Sequence, residues 1–368
     1  MSKQPDSEAK VRVGITHGDI NGIGYEIIIK SLANPGILEL CTPVVYGSSK
    51  IASYHKKTLD LPDFNFNLIK NASTAILKRA NIINIYDKEV KIDLGENTEI
   101  AGTLSLLSLE TAVEDLLQKR IDVMVTAPIN KQNIQSDRFK FPGHTEYLAQ
   151  KTDTRDYLML MISNQLRIGV VTGHIPLRDV ANAITEELIL QKIHILNQSL
   201  IRDFAIRRPK IAVLGLNPHA GDQGVLGNEE EKVIIPAIKK AFDKDNILVF
   251  GPYSADGFFG TSAFTKFDGV LAMYHDQGMI PFKTMSFDNG VNYTAGLPFV
   301  RTSPAHGVAY DIAGKNEASP DSFREALYLA IDIFNHRKMH RELTANPLKV
   351  IAPKALVDEQ PETLENNI

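Results

Sequence analysis

The sequence predicts a two-domain α/β protein built on mostly parallel sheets. Short apolar runs such as residues 211–216 and 269–274 end in glycine, proline or aspartate, the pattern of central strands covered on both faces. These runs alternate with longer stretches of helical periodicity, which is the mark of βαβ units. The 368 residues are too many for one ordinary core.

Residues 11–16 alternate as a first strand. A glycine-rich turn over residues 16–26 leads into an apolar helical pattern from Gly24 to Leu32, which Asn34-Pro35-Gly36 stops. Residues 42–46 read as a strand. Residues 101–119 carry leucines and Val113 at helical spacing, and 121–126 form a strand running into Ala127-Pro128. Three further strands cover 165–172, 211–216 and 269–274, with a helix from about 228 to 242. Ser319-Pro320-Asp321 opens a long helix to about Met339, with Ser319 as N-cap and Pro320 in the first turn. No internal repeat is present. The acidic tail, residues 353–368, lacks apolar pattern and is expected to fray. The expected division is a first domain of residues 1–135 plus 300–350 and a second of 136–299. A cleft between them would gather glycine-rich and histidine-bearing loops around one pocket.

Composition narrows the class. A net charge of -4 gives no reason to expect nucleic acid or an anionic membrane as partner, and 43% hydrophobic residues allow a substantial core. The single cysteine, Cys41, excludes an internal disulfide framework and suits a reducing cytoplasm; it reads as a small core residue. No apolar stretch reaches membrane-spanning length, and the polar residues 1–10 are no signal peptide. The expectation is a cytoplasmic enzyme.

Three histidines follow directly on predicted strands: His174, His219 and His275. Ligands of open α/β sheets collect outside the carboxyl ends of the strands. One such histidine is an ordinary polar loop residue; three at equivalent strand ends suggest an open divalent-metal site with room for substrate. The glycine-rich first turn lacks the dinucleotide-binding spacing. Residues 221–227 precede a helix and could offer backbone N–H groups to a phosphate, or simply form a flexible loop. Gly143-His144-Thr145-Glu146 places an imidazole, a hydroxyl and a carboxylate in succession, though Thr145-Glu146 also suits a helix start. Lys283, Asn292 and Arg301 fall in a loop-rich stretch after His275. Each can meet phosphate or carboxylate oxygens, Arg301 in bidentate fashion, yet each alone reads as a solvated surface group.

Several segments together resemble the 4-hydroxythreonine-4-phosphate dehydrogenase family. They are Gly18-Asp19 with Gly22-Ile23-Gly24, Thr126-Ala127-Pro128 with Lys131, and Gly143-His144-Thr145-Glu146. Thr172-Gly173-His174, Asn217-Pro218-His219-Ala220-Gly221-Asp222, Tyr274-His275-Asp276-Gln277-Gly278 and the run from Gly296 to Ser303 complete the match, which extends from about Val11 to about Leu343. The resemblance implies an NAD-dependent oxidation and decarboxylation of 4-phosphooxy-L-threonine in vitamin B6 (pyridoxal 5'-phosphate) synthesis. It carries the metal ligands onto His174, His219 and His275, one divalent ion (zinc, cobalt, magnesium or manganese) per subunit. Substrate contacts carry onto His144, Thr145, Lys283, Asn292 and Arg301, in a homodimer with a shared active site. This chain departs from the family at His17, which separates Thr16 from Gly18, at Gly173, and at Asp222, where glutamate is frequent.

Residues 306–316 look like the adenosine-binding loop of isopropylmalate and isocitrate dehydrogenases. That likeness implies the same two-domain fold, an active site in the interdomain cleft, and cofactor contacts at His306, Gly307, Asp311 and Asn316. Asp311 can accept a hydrogen bond from a ribose 2'-hydroxyl. In the mechanism so implied, Lys283 assists proton transfer, and Asp256 and Asp276 orient the histidines. The rival readings are a 4-phosphothreonate or 4-phosphoerythronate dehydrogenase and, from another class, a phosphate acyltransferase-like enzyme. The histidine trio and the Asp311 loop speak against the latter.

Overall fold

The computed structural model describes residues 10–347. The chain opens with β1 (Val11–Thr16), α1 (Gly24–Leu32), α2 (Pro35–Leu40), β2 (Cys41–Gly47) and α3 (Ser49–Lys56). Two short strands follow, β3 (Asn67–Ile69) and β4 (Asn81–Asn84), then α4 (Glu99–Leu117) and β5 (Val123–Thr126). The middle supplies α5 (His144–Lys151), β6 (Leu158–Ile162), β7 (Arg167–Thr172), α6 (Val180–Ala183), α7 (Glu186–Arg202) and β8 (Lys210–Leu214). Next come α8 (Ile235–Asp243), β9 (Leu248–Tyr253), α9 (Ala255–Gly260), β10 (Gly269–Tyr274) and α10 (His275–Ser286). The chain closes with β11 (Val291–Ala295), β12 (Val300–Pro304) and α11 (Asp321–Thr344). The expected frayed tail lies outside the described residues.

Among the described residues twelve strands form one sheet, in the order β3-β4-β2-β1-β5-β12-β11-β6-β7-β10-β8-β9. Pairing is parallel except where β11 meets β12 and β6, and where β6 meets β7. One half of the order, from β3 to β12, comes from residues 11–126 and 300–304. The other half comes entirely from residues 158–295. Both faces are covered. Val123 and Val125 of β5 join the cluster that contains Phe323 and Leu327 of α11, while Met124 points the other way, into the cluster of Leu109 and Val113 of α4. Cys41 is fully buried, as expected.

Local chemistry explains the boundaries. A Cβ on Gly24 would lie 2.2 Å from the His17 carbonyl oxygen, and one on Gly18, at φ 68°, 2.2 Å from that of Pro128. Only glycine lets this turn pack so closely. Asn34-Pro35-Gly36 ends α1 and also starts α2, because the Asn34 side chain accepts a hydrogen bond from Gly36 N at 2.9 Å. Thr185 caps α7 by accepting from Leu188 N at 3.1 Å, with Glu186 and Glu187 in the first turn.

The helix expected over about 228–242 is present, with a π-helical first turn over Glu230–Ile234 that passes into α8. The structure corrects two expectations. The last helix has Pro320, not Ser319, at its N-cap and runs on past Met339 to Thr344; Ser319 accepts a hydrogen bond from Asp321 N, at 3.2 Å. The stretch after His275 is not loop-rich: Lys283 stands in α10, Asn292 in β11 and Arg301 in β12. Gly278 and Pro281 interrupt the helical pattern of α10, and inward-facing polar residues interrupt the apolar pattern of the two strands.

His17, Tyr25 and His55 form a buried stack with neighbouring ring centroids 5.2 Å apart. His17 Nδ1 donates to the Gly18 carbonyl at 2.7 Å, and His55 Nε2 to that of Ile20 at 2.8 Å. Burial pushes both imidazoles down from an ordinary 6.5 to about 4. The unfolded chain therefore binds protons at these sites before the folded chain does. The stability they lend is complete above pH 6.5 and is lost as pH falls towards 4, on the order of 3 kcal/mol for each. Urea midpoints measured across that window should drop steeply for the wild type and less steeply for a His17→Phe/His55→Phe double variant.

Candidate active site

The junction between the two halves of the sheet holds a cavity of about 220 Å³. β5 and β12 bring Thr126, Arg301 and Ser303 to it. The first turn of α5 brings His144, Thr145 and Glu146, α10 brings His275 and Lys283, and β11 brings Asn292. His174 enters from the end of β7, and His306 and Gly307 from the loop after β12. The structure thus gathers all five residues expected to contact substrate.

Arg301 dominates the electrostatics. Its side chain is 2% exposed, and Nε and Nη2 donate to Thr126 Oγ1 at 3.1 and 2.7 Å. Among the described residues it forms no ion pair. Burial lowers its ordinary 12.5 to about 10, opposed by the nearby Glu146 charge, so the guanidinium stays charged at neutral pH. Burial, together with the Arg301 and Lys131 charges, holds the His144 imidazole far below its usual range and therefore neutral. Buried side-chain atoms without a hydrogen-bond partner cluster here: His144 Nε2, Glu146 Oε2, Asn292 Oδ1 and His306 Nε2. Buried polar atoms are rarely left unsatisfied, so the cluster marks where a polar ligand belongs. The Thr145 hydroxyl is shared with Thr294 Oγ1 at 3.1 Å.

Two of the three strand-end histidines meet. The His174 and His275 rings lie 5.9 Å apart. Each has Nδ1 against a carboxylate, Glu146 Oε1 at 3.4 Å and Asp276 Oδ1 at 2.7 Å. That pairing leaves Nε2 as the outward nitrogen and suits a metal-binding imidazole.

His219 does not join them within one chain. Its strand β8 neighbours β10, but the chain then enters a left-handed turn. Residues 219–223 all have φ between 43° and 81°, and four of the five are not glycine. Each such residue costs about 1–2 kcal/mol relative to right-handed backbone. Among the described residues no three His, Cys, Asp or Glu side chains are grouped to hold a metal.

The other expected residues divide. Asp276 hydrogen-bonds His275. Asp256 hydrogen-bonds Ser254 and none of the three histidines. His306 and Gly307 line the cavity, whereas Asp311 and Asn316 lie outside it on the exposed part of their loop. Tyr310 ties that loop to the first glycine turn by donating to Asp19 Oδ2 at 2.8 Å. Glu146 and Lys131 were not among the expected site residues, although both stood in the segments that carried the resemblance. Met159, Met161 and Met279, which form the apolar wall, gave no signal.

The fold is that of an α/β enzyme, and its cavity sets a guanidinium that has no ion pair among the described residues beside a lysine and a neutral imidazole, a setting that suits a small anion. Residues 39–330 match the family described as pyridoxal phosphate biosynthetic protein PdxA, and the chain belongs to that family. A 4-hydroxythreonine-4-phosphate dehydrogenase from Bacteroides thetaiotaomicron is 53% identical over 343 residues, 93% of this chain and 94% of its own. A relative from Oceanobacillus iheyensis named as a D-threonate 4-phosphate dehydrogenase is 39% identical over 337 residues, 90% of this chain and 99% of its own. The crystal structure of 4-hydroxythreonine-4-phosphate dehydrogenase from Klebsiella pneumoniae superimposes with a TM-score of 0.76 at 36% identity, covering 89% of this chain and 99% of that one.

An unpaired buried charge lowers stability and is retained where a ligand needs it. Arg301→Met should therefore melt no lower than the wild type. Millimolar inorganic phosphate should raise the wild-type melting temperature and leave that of the variant unchanged. Equal phosphate stabilisation of both proteins would remove Arg301 from the anion site.

Proposed function

We propose that this protein, an oxidoreductase of vitamin B6 synthesis like its family, oxidises 4-phosphooxy-L-threonine at C3 with NAD. Loss of the carboxylate as carbon dioxide then yields 3-amino-1-hydroxyacetone 1-phosphate. The observation that carries the reading is the buried, unpaired Arg301 among orphaned polar atoms. A dianionic phosphate would satisfy that guanidinium, with Lys283 and neutral His144 beside it. Asn292 and Thr145 offer the uncharged contacts. Binding energy from the phosphate can then hold C3 in place for reaction.

Oxidation removes a hydride to NAD and a proton from the C3 hydroxyl. The resulting ketone lies β to the carboxylate, and the electron pair left by departing carbon dioxide moves towards the ketone oxygen. In this reading Lys283 neutralises that charge and returns a proton to carbon, and its position on the cavity wall supports the assignment. The NAD reading rests on the loop likeness at His306, Gly307, Asp311 and Asn316. Asp311 favours NAD over NADP because a carboxylate repels a 2'-phosphate.

The paired imidazoles of His174 and His275, each backed by a carboxylate, suit a divalent cation. Such an ion, when bound, supplies Lewis-acid polarisation of the substrate oxygen. The third ligand in this reading is His219 of the second subunit, which makes the active site a shared feature of a cytoplasmic homodimer. Among the described residues no helix is long and apolar enough to cross a membrane. Residues 1–135 with 300–350 and residues 136–299 serve as the two domains, a division that the strand order supports.

The relative named for D-threonate 4-phosphate favours a second reading, in which the C2 substituent is a hydroxyl rather than an amine. Purified protein should form NADH and labelled carbon dioxide together from carboxyl-labelled 4-phosphooxy-L-threonine, and a chelator should stop both. Stable undecarboxylated product would contradict the mechanism, and faster turnover of D-threonate 4-phosphate would favour the second reading.

Subunit sharing gives a separate test. Mixed His219→Ala and His275→Ala proteins should regain up to about a quarter of wild-type activity, because half the dimers are mixed and carry one intact site. Mixed His174→Ala and His275→Ala proteins should regain none.

A further inference from the structure

The left-handed turn at His219 is held by a carboxylate to which the reaction assigns no part. We propose that Glu230 is a positioning residue: its buried side chain locks the turn of residues 219–223 in the shape that presents His219. The inference rests on the reading of His219 as a metal ligand.

Glu230 is 2% exposed and is the first residue of the π-helical turn. Its Oε1 accepts from the backbone N–H groups of Leu216 and Asn217 at 2.7 and 2.8 Å, and its Oε2 from Asn217 Nδ2 at 2.9 Å. The wider π turn lets the adjacent Glu229 reach the same amide, with Oε2 at 2.8 Å. The carboxylate therefore grips the two residues just before Pro218-His219. It also fills the space inside the turn: a Cβ on Gly221 would lie 2.6 Å from Glu230 Oε2.

This grip has two consequences. The N–H groups of Leu216 and Asn217, which could have cradled an external anion, are already taken by an internal one. The phosphate is left to the cavity around Arg301. In addition, left-handed backbone at four non-glycine residues persists only where its surroundings over-determine it. Glu230 supplies that determination from one side, and Gln277 from the other. Gln277 Nε2 donates to the Gly215 carbonyl at 2.6 Å while its Oε1 accepts from Met273 N at 2.7 Å, which links the turn to the strand that leads into His275.

The test uses full-length Glu230→Ala, Glu230→Gln, Glu230→Asp and His219→Ala proteins. Cobalt(II) affinity is read from the ligand-field spectrum, beside kcat/KM and thermal melting. Glutamine keeps an oxygen for the two N–H groups, whereas aspartate keeps the charge but is one methylene too short. Glu230→Ala and Glu230→Asp should lose about 10–100-fold in cobalt affinity and kcat/KM, the usual range for a partner of a metal ligand, and Glu230→Gln should recover most of it. Wild-type cobalt affinity in Glu230→Ala, or in Glu230→Asp if the alanine protein does not fold, overturns the proposal. So does an affinity lower in Glu230→Gln than in Glu230→Asp. Unchanged cobalt binding and turnover in His219→Ala would instead overturn the ligand assignment on which the proposal rests.

Discussion

An inserted strand must find partners for the N–H and C=O groups along both of its edges. For β12 those partners lie in different halves of the molecule: it pairs parallel with β5 on one side and antiparallel with β11 on the other. Without β12 the two halves would present open edges to each other. With it they share one sheet, and the cavity opens at the seam. The strand that joins the halves also carries Arg301, so the buried, unpaired charge of the cavity is fixed by the ladder that holds the protein together.

A second joint lies nearby. Asp203, fully buried at the end of α7, accepts hydrogen bonds from Arg337 Nε of α11 at 2.7 Å, Arg202 Nε at 2.8 Å and the Tyr293 hydroxyl of β11 at 2.6 Å. Burial alone would raise its carboxyl, but Arg337 and Arg202 hold it at about 2. Tyr293 adjoins Asn292 on β11, so this network fixes the strand from the face opposite the cavity. The contrast with Arg301 is instructive. Two arginines share one carboxylate where the role is structural, and one arginine has none where a ligand is expected.

The sequence was most legible where side-chain pattern and structure agree. Alternation revealed β1 and short apolar runs revealed β2, β5, β7, β8 and β10, and the histidines after β7 and β10 stand where the cavity opens. β11 and β12 were missed because Asn292 and Arg301 turn polar groups inward at positions where a stable core alone would place apolar ones. Strands recruited to a site lose the alternation by which strands are recognised. The separation of His219 from the other two histidines was equally hidden. It depends on backbone handedness at residues such as Ala220 and Gln223, whose side chains do not announce it, and on Glu230, which is distant from the turn in sequence.

α10 begins with His275 and carries Lys283 eight residues on, two turns and about 12 Å along the same rod. Because one helix bears both, any hinge movement of the halves carries them together and leaves their spacing unchanged. Under the proposed function the helix is a gauge: it sets the distance between a substrate oxygen near His275 and an anionic group near Lys283. Lengthening the gauge by one residue would turn Lys283 by about 100° around the helix axis, away from the cavity. In that reading the length of molecule admitted is set along a single helix and not by a loop.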